Sequence, residues 1–306
     1  MFHPARILVA VDFGGSARRA LTAAATLART HGAALDVLHV YEPPYYAPEA
    51  LVTLPGQGPM PLGDYVKTTA EAQMADFTAP LKADSALHGR MHAHVVPGLP
   101  FQEIPRHARS TGADIIVLGT HGRRGFAHVL LGSVAERIVR DAPCPLMIVR
   151  EAGTAEALPK RLDRVLVPVD FGPDSGVAVK TALDFVGGRV EALNLVNVVP
   201  VPAYTGDVMV PRGSGLKLAQ VLHDDALTEL RGFAEAHGVQ GAALHVLQGS
   251  ASEGLVRLAT EDDAQLIVMG TRGRHGLAHY FVGSVAERVL RHSPCPVVVV
   301  RAMYGA

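Results

Sequence analysis

The sequence predicts an α/β protein built as two tandem doubly wound domains, each with a five-stranded parallel sheet. Three observations predict it: an internal duplication, short runs of Val, Ile and Leu with almost no polar alternation, and helical apolar periodicity between those runs. The duplication is the firmest of the three. Gly119 to Arg150 lies over Gly270 to Arg301 at an offset of 151, and 19 of the 32 pairs are identical. Near the front of each half, ILVAVDFG at 7–14 matches VLVPVDFG at 165–172 at an offset of 158, so the first copy carries about seven extra residues. Those fall in the Pro-rich stretch from Pro43 to Pro61. A period near 150 is the length of a domain and far exceeds that of a solenoid repeat, about 20–50 residues. The boundaries read as 1–150 for the first domain, 151–163 for a polar linker and 164–306 for the second.

Within the first copy the expected strands are Arg6 to Val11, Leu35 to Tyr41, His92 to Val96, Asp114 to Leu118 and Leu146 to Arg150. Runs this apolar belong to strands covered on both faces. Ser16 to Thr30, Asp64 to Ala86, Pro100 to Ser110 and Ser133 to Arg140 carry the helical period between them. Strand-helix alternation implies right-handed crossovers, hence a parallel sheet with helices on both faces. The second copy repeats the order, with strands near Arg164 to Val169, Glu191 to Val198, Ala243 to Leu247, Gln265 to Met269 and Val297 to Arg301.

Composition narrows the function. Of 306 residues 48% are hydrophobic and 19% charged, which supplies two packed cores and excludes disorder. Lys plus Arg total 28 against 29 Asp plus Glu. No broad basic surface exists for non-specific nucleic-acid binding. The two cysteines stand in no metal-ligand or redox spacing, and each lies in Pro-Cys-Pro before a last strand, so Cys144 and Cys295 read as small buried thiols. No uncharged apolar run is long enough to span a membrane, and the opening Met-Phe-His-Pro-Ala-Arg lacks a signal-peptide layout. The expectation is a cytoplasmic protein with no membrane or nucleic-acid partner.

In a doubly wound sheet the ligand crevice opens beyond the carboxyl ends of the strands, where neighbouring connections diverge. Asp12 and Asp170 close the first strand of each copy and point there. After the fourth strand comes Gly-x-x-Gly, nine residues, then Gly-Ser: Gly119, Gly122, Gly132 and Ser133, repeated as Gly270, Gly273, Gly283 and Ser284. Glycines let the backbone present bare amides to a ligand. The closing Gly-Ser opens a helix whose N-terminal amides favour phosphate. The same residues also permit a plainer account, in which Ser133 with Glu136, and Ser284 with Glu287, form capping boxes. The aspartates likewise suit simple turn caps.

This motif, with an Asp ending the first strand, resembles the ATP-binding branch of the universal stress protein (UspA) family, in tandem-domain form, across essentially the whole chain. The resemblance implies a Rossmann-like, adenine nucleotide alpha hydrolase-like fold. It also implies ATP as ligand, with or without Mg, the adenosine held by Asp12 and the backbone at Val40, and by Asp170 and Val198. The phosphates fall to Gly119, Gly122, Gly132, Ser133 and Val134, and to Gly270, Gly273, Gly283, Ser284 and Val285. Small departures separate the copies: Ala10 against Pro168, and His121 against Arg272. Arg123 and Arg274 share one loop position and suit either phosphate contact or a solvated surface.

Three functions remain in play. One is a nucleotide-dependent stress or regulatory protein with an unknown protein partner. A second is a weak ATP hydrolase or adenylyl-transfer enzyme of the same fold, although the sequence has no Gly-x-x-x-x-Gly-Lys-Ser/Thr loop, no Gly-x-Ser-x-Gly elbow and no paired catalytic carboxylates. The third is an interaction module without nucleotide. The fifteen histidines include matched His128 and His279, with His121 and His275 nearby, but no His-x-x-x-His pair, and read as surface-loop residues rather than metal ligands. Pro43 to Pro61 and Val199 to Gly215 read as long loops over the crevices. Single-domain relatives pair through their last strands, so the resemblance implies an intramolecular pseudo-dimer seamed at Leu146 to Arg150 and Val297 to Arg301, with a homodimer of whole chains also open.

Overall fold

A computed structural model describes residues 4–45, 47–53, 58–120, 132–150, 158–200, 214–271 and 283–302, with backbone alone at Ser133 and 214–218. The chain divides between Lys160 and Arg161 into two units.

The first unit runs β1 (Arg6–Ala10), α1 (Gly15–His31), β2 (Ala34–Tyr41), β3 (Leu51–Val52), β4 (Met60–Pro61), α2 (Leu62–Lys82), β5 (Met91–Pro97), α3 (Pro100–Thr111), β6 (Ile115–Gly119), α4 (Ser133–Asp141) and β7 (Leu146–Val149). Its sheet is parallel in the order β7-β6-β1-β2-β5, the doubly wound order with the first strand at the centre. Ile7, Leu8, Val9, Leu35, Val37, Ile115, Ile116 and Val117 have no exposed surface, which is why these strands show no polar alternation. Helix α1 covers the sheet with an alanine-rich face: Ala20, Ala23, Ala24, Ala25 and Ala28 are fully buried, and small side chains let the helix approach closely. It ends where Gly32 turns left-handed (φ 68°) and its N–H bonds Ala28 O, a stop that any Cβ would strain.

The second unit runs β8 (Val165–Pro168), α5 (Pro173–Phe185), a 3₁₀ turn at Val190–Ala192, β9 (Leu193–Val199), α6 (Ser214–Ala236), β10 (Ala243–Gln248), α7 (Ala251–Glu261), β11 (Leu266–Gly270), α8 (Ser284–His292) and β12 (Val297–Val300). Its parallel order β12-β11-β8-β9-β10 repeats that of the first unit.

Three expectations need correction. Glu191 lies in the 3₁₀ turn and not in the strand, which starts at Leu193. Helix α2 stops at Lys82, short of Ala86, where Asp84 Oδ1 takes the Ala86 N–H at 2.9 Å and sets a turn. The stretch from Pro43 to Pro61 contains a small antiparallel pair, β3 with β4, whose register joins Leu51 to Pro61 and Val52 to Met60. The buried thiols match expectation. Burial pushes Cys144 up to about 12 and Cys295 up to about 11, which leaves both protonated and inert.

Candidate functional site

In each unit the first and fourth strands lie side by side, and the chain leaves their carboxyl ends toward opposite faces. Gly119 ends β6 and Gly270 ends β11 at this point, and both are packed too tightly to carry a side chain. A Cβ on Gly119 would stand 2.7 Å from the Ser16 carbonyl carbon, and one on Gly270 would stand 2.5 Å from Asp174 Cβ. These glycines therefore serve the close packing of strand against helix.

Beyond β1 and β8 the chain reads Asp-Phe-Gly in both units. Phe13 and Phe171 adopt left-handed backbone, φ 67° and 63°, a conformation that a bulky residue rarely takes. Ring packing holds them there: Phe13 against His39 at 4.2 Å and Phe77 at 5.4 Å, and Phe171 against Phe233 at 5.8 Å. The kink places the preceding aspartates alike. Oδ1 of Asp12 accepts the Gly14 N–H at 3.0 Å, and Oδ1 of Asp170 accepts the Gly172 N–H at 3.0 Å. The turn-capping role is thus present in both units. The second unit adds a clamp, since Ser175 Oγ donates to Asp170 Oδ1 at 2.5 Å and accepts the Asp170 N–H at 3.0 Å.

The second strands present backbone to the same crevice. Val11 N–H bonds Leu38 O, and Val169 N–H bonds Val196 O, both at 2.8 Å, and these are the last bonds from the first strands. Main-chain groups alternate sides along a strand. The next residues facing that way are Val40 and Val198, beyond the point where the neighbour has turned off. His39 Nδ1 and Asn197 Nδ2 bond the carbonyls of Val11 and Val169, again at 2.8 Å, and fix the departing chain.

The glycine-rich segments close on themselves. Gly132 N–H bonds Thr120 O at 3.0 Å and Gly283 N–H bonds Thr271 O at 2.8 Å, so each connection begins and ends at one backbone bond. A Cβ on Gly132 would lie 2.6 Å from Thr120 O, and one on Gly283 would lie 3.1 Å from Thr271 O. Gly122 and Gly273, and with them His121, Arg123, His128, Arg272, Arg274, His275 and His279, fall outside the described residues.

Helices α4 and α8 start directly after these bonds. Their first intrahelical bonds run from Glu136 N–H to Gly132 O and from Glu287 N–H to Gly283 O, so the glycines are the N-caps and Ser284 is the first helical residue. The capping-box expectation fails. The box needs the serine one place earlier, and Glu136 and Glu287 instead reach forward to Arg140 and Arg291. The amides of 133–135 and 284–286 precede the first helical bonds and carry the positive end of the helix dipole.

In the second unit these pieces surround one cavity of about 230 Å³, lined by Asp170, Val198, Gly270, Gly283, Ser284 and Val285. Six residues singled out by sequence are therefore neighbours in space. Pro168, Val169, Val196, Leu255 and Met269 give the cavity apolar walls. Three polar lining residues escaped the sequence reading: Ser175, Asn197 and Thr271. The first two differ between copies, as Ala17 and His39, so repetition gave no signal for them. The Thr271 hydroxyl is buried without a hydrogen-bond partner among the described residues, an exception for a buried polar atom.

A tandem pair of doubly wound units, each with a strand-end aspartate and a glycine-closed helix N-terminus, is the class this fold defines. The chain belongs to the universal stress protein family, whose model matches residues 4–150 and 161–301, and with that membership comes a stress-response role. Universal stress protein Rv2005c of Mycobacterium tuberculosis is 30% identical over 305 residues, 96% of either chain. Universal stress protein Rv2623 of the same species is 30% identical over 214 residues, 69% of this chain and 68% of its own. Among solved structures, a universal stress protein from Archaeoglobus fulgidus superposes with a TM-score of 0.62 at 24% identity, covering 97% of this chain and 98% of its own. A Pseudomonas aeruginosa protein of unknown function gives 0.66 at 18% identity, covering 98% and 93%. No helix among the described residues is long and apolar enough to cross a membrane.

Proposed function

We propose that each unit binds one ATP, with or without Mg, in the crevice above its first and fourth strands, and that the bound nucleotide sets which surface a protein partner meets. The observation that carries this reading is the second-unit cavity, where an apolar wall, a carboxylate and a helix start without a side-chain cap share one space. The adenine fits the Val169, Val196 and Leu255 side, the ribose hydroxyls fit Asp170, and the phosphates fit the amides of 284–286. Two details favour an anionic, hydrogen-bonding guest. The first amides of α8 have no side-chain cap, and the Thr271 hydroxyl has no hydrogen-bond partner among the described residues. The matching residues of the first unit are Asp12, Val40, Gly119, Gly132, Ser133 and Val134, completed in each copy by Gly122 or Gly273.

Magnesium would supply charge neutralisation at the phosphates. The chain's own residues bind and orient the nucleotide. The hydroxyl–carboxylate pair in the cavity, Ser175 with Asp170, is tied into the strand-end turn by the Asp170 N–H, so binding rather than turnover is the reading this site favours. The test is to heat-denature purified protein and assay the supernatant for adenine nucleotide, then to titrate the stripped protein with ATP by calorimetry. Two ATP per chain are expected, and the double variant Gly122→Val/Gly273→Val should lose binding with unfolding unchanged. A double variant that binds ATP like the parent overturns the assignment.

A further inference from the structure

Away from the crevice, the first unit brings together Asp36 on β2, His94 on β5 and His107 on α3, residues that no short sequence spacing links. One ligand-type atom from each lies within 4.8 Å of the others. Asp36 is fully buried, its Oδ2 taking the Arg6 Nη1 donor at 2.8 Å while Oδ1 faces His94 Nε2 at 3.3 Å. The two imidazole rings stand 4.7 Å apart between centroids. His107 Nε2 is buried with no hydrogen-bond partner among the described residues.

The second unit supplies an internal control. Strand register pairs Leu38 with His94 and, equivalently, Val196 with His245, so Asn194 takes the place of Asp36. Asn194 Oδ1 and His245 Nε2 stand 3.1 Å apart, a neutral pair. Leu258 on α7, buried, occupies the place of His107 at the offset of 151. The fold thus accepts an amide and an apolar side chain here. The first unit instead buries a carboxylate, held by Arg6, beside an imidazole nitrogen that has no partner among the described residues, a combination that packing alone does not call for.

We propose that Asp36, His94 and His107 bind a divalent transition-metal ion of the zinc type, with water in the fourth position. Two imidazoles and a carboxylate are the ligand set such ions take, with bonds of about 2.0–2.2 Å. Ligands on a tetrahedral ion at those lengths are about 3.3 Å apart. Asp36 Oδ1 and His94 Nε2 already stand at 3.3 Å, and His107 closes by a side-chain adjustment. Arg6 holds the other carboxylate oxygen and keeps Oδ1 turned to the histidines. A ligating imidazole offers a bare nitrogen, so a proton on His94 Nε2 would leave to solvent or move to Nδ1 as the ion binds. Arg6 and Arg106 bear positive charge nearby, and both oppose a dication.

The test needs no nucleotide and is independent of the crevice. Full-length protein stripped with a chelator is titrated with Co²⁺, followed by its visible ligand-field band, and with Zn²⁺ by calorimetry. The parent should give a tetrahedral cobalt band that saturates at one ion per chain. His107→Leu and Asp36→Asn, which copy the second unit's own residues, should each weaken Zn²⁺ binding at least about tenfold, while His245→Ala should leave it unchanged. Thermal unfolding verifies that the variants fold, and either one alone carries the conclusion if the other does not. No cobalt band in the parent, or equal binding in a folded His107→Leu variant, overturns the proposal.

Discussion

Ser175 Oγ lies 2.5 Å from Asp170 Oδ1 in the second unit, whereas Ala17 stands at the matching place beside Asp12 in the first. A buried hydroxyl bonded to both the carboxylate and the N–H of one residue fixes the strand-end turn more firmly in one unit than in the other. Ser175→Ala should destabilise the protein by about 1–3 kcal/mol, read as a lower denaturant midpoint. An unchanged midpoint would show that the clamp carries no net energy.

The glycines at the crevice make unequal steric demands. Gly132→Ala sets a Cβ 2.6 Å from Thr120 O, against 3.1 Å for Gly283→Ala and Thr271 O. Backbone must move in the first case and shift only slightly in the second. Gly132→Ala should cost about 1–3 kcal/mol and weaken ATP binding in the first unit, while Gly283→Ala should cost less. Calorimetric unfolding of the two variants side by side checks the order.

Cys144 and Cys295 stay protonated because burial raises both thiols, to about 12 and about 11. Native protein at pH 8 should leave an aromatic disulfide reagent unreacted, and denaturant should release two thiols per chain. The sign for stability follows from the same shift. The unfolded thiols ionise near pH 9 and the folded ones only above 11, so stability is full below pH 9 and falls as pH rises from there. Labelling at the native rate of a small free thiol would contradict the burial.

His107 is held below the ordinary imidazole range, first by burial and next by the facing His94, with Asp36 opposing the shift and Arg106 and Arg6 adding to it. Its folded value being depressed, the unfolded chain binds the extra proton as pH falls through about 6.5. Stability from this group is present above that pH and lost below it. In metal-free protein His107→Leu should flatten the acid side of the stability profile, and NMR of the parent ring should give a titration midpoint below that of an exposed histidine. A ring that titrates normally would refute this.

Much of the architecture was legible in the chain. Runs such as Ile115 to Leu118 announce a doubly covered strand because both faces must be apolar, and the helical period over Ser16 to Thr30 announces α1 to within a residue at either end. The crevice residues Asp170, Gly270 and Gly283 were legible because they repeat at fixed spacing from buried strands. The serine-glutamate box was misread, since one residue of register decides which group caps α8, and the Thr271 to Gly283 bond makes that choice.

What the sequence determined by itself, then, was the duplication and the order of strands and helices, carried by local periodicity and spacing along the chain, and a family resemblance carried by the repeated glycine motif. Only the tertiary structure decided that Ser175 grips Asp170, that the Thr271 hydroxyl has no partner among the described residues, and that Asp36, His94 and His107 meet. The physical reason is that such contacts depend on strand register and helix placement, which join residues 58 or more positions apart as readily as neighbours, as between Asp36 and His94.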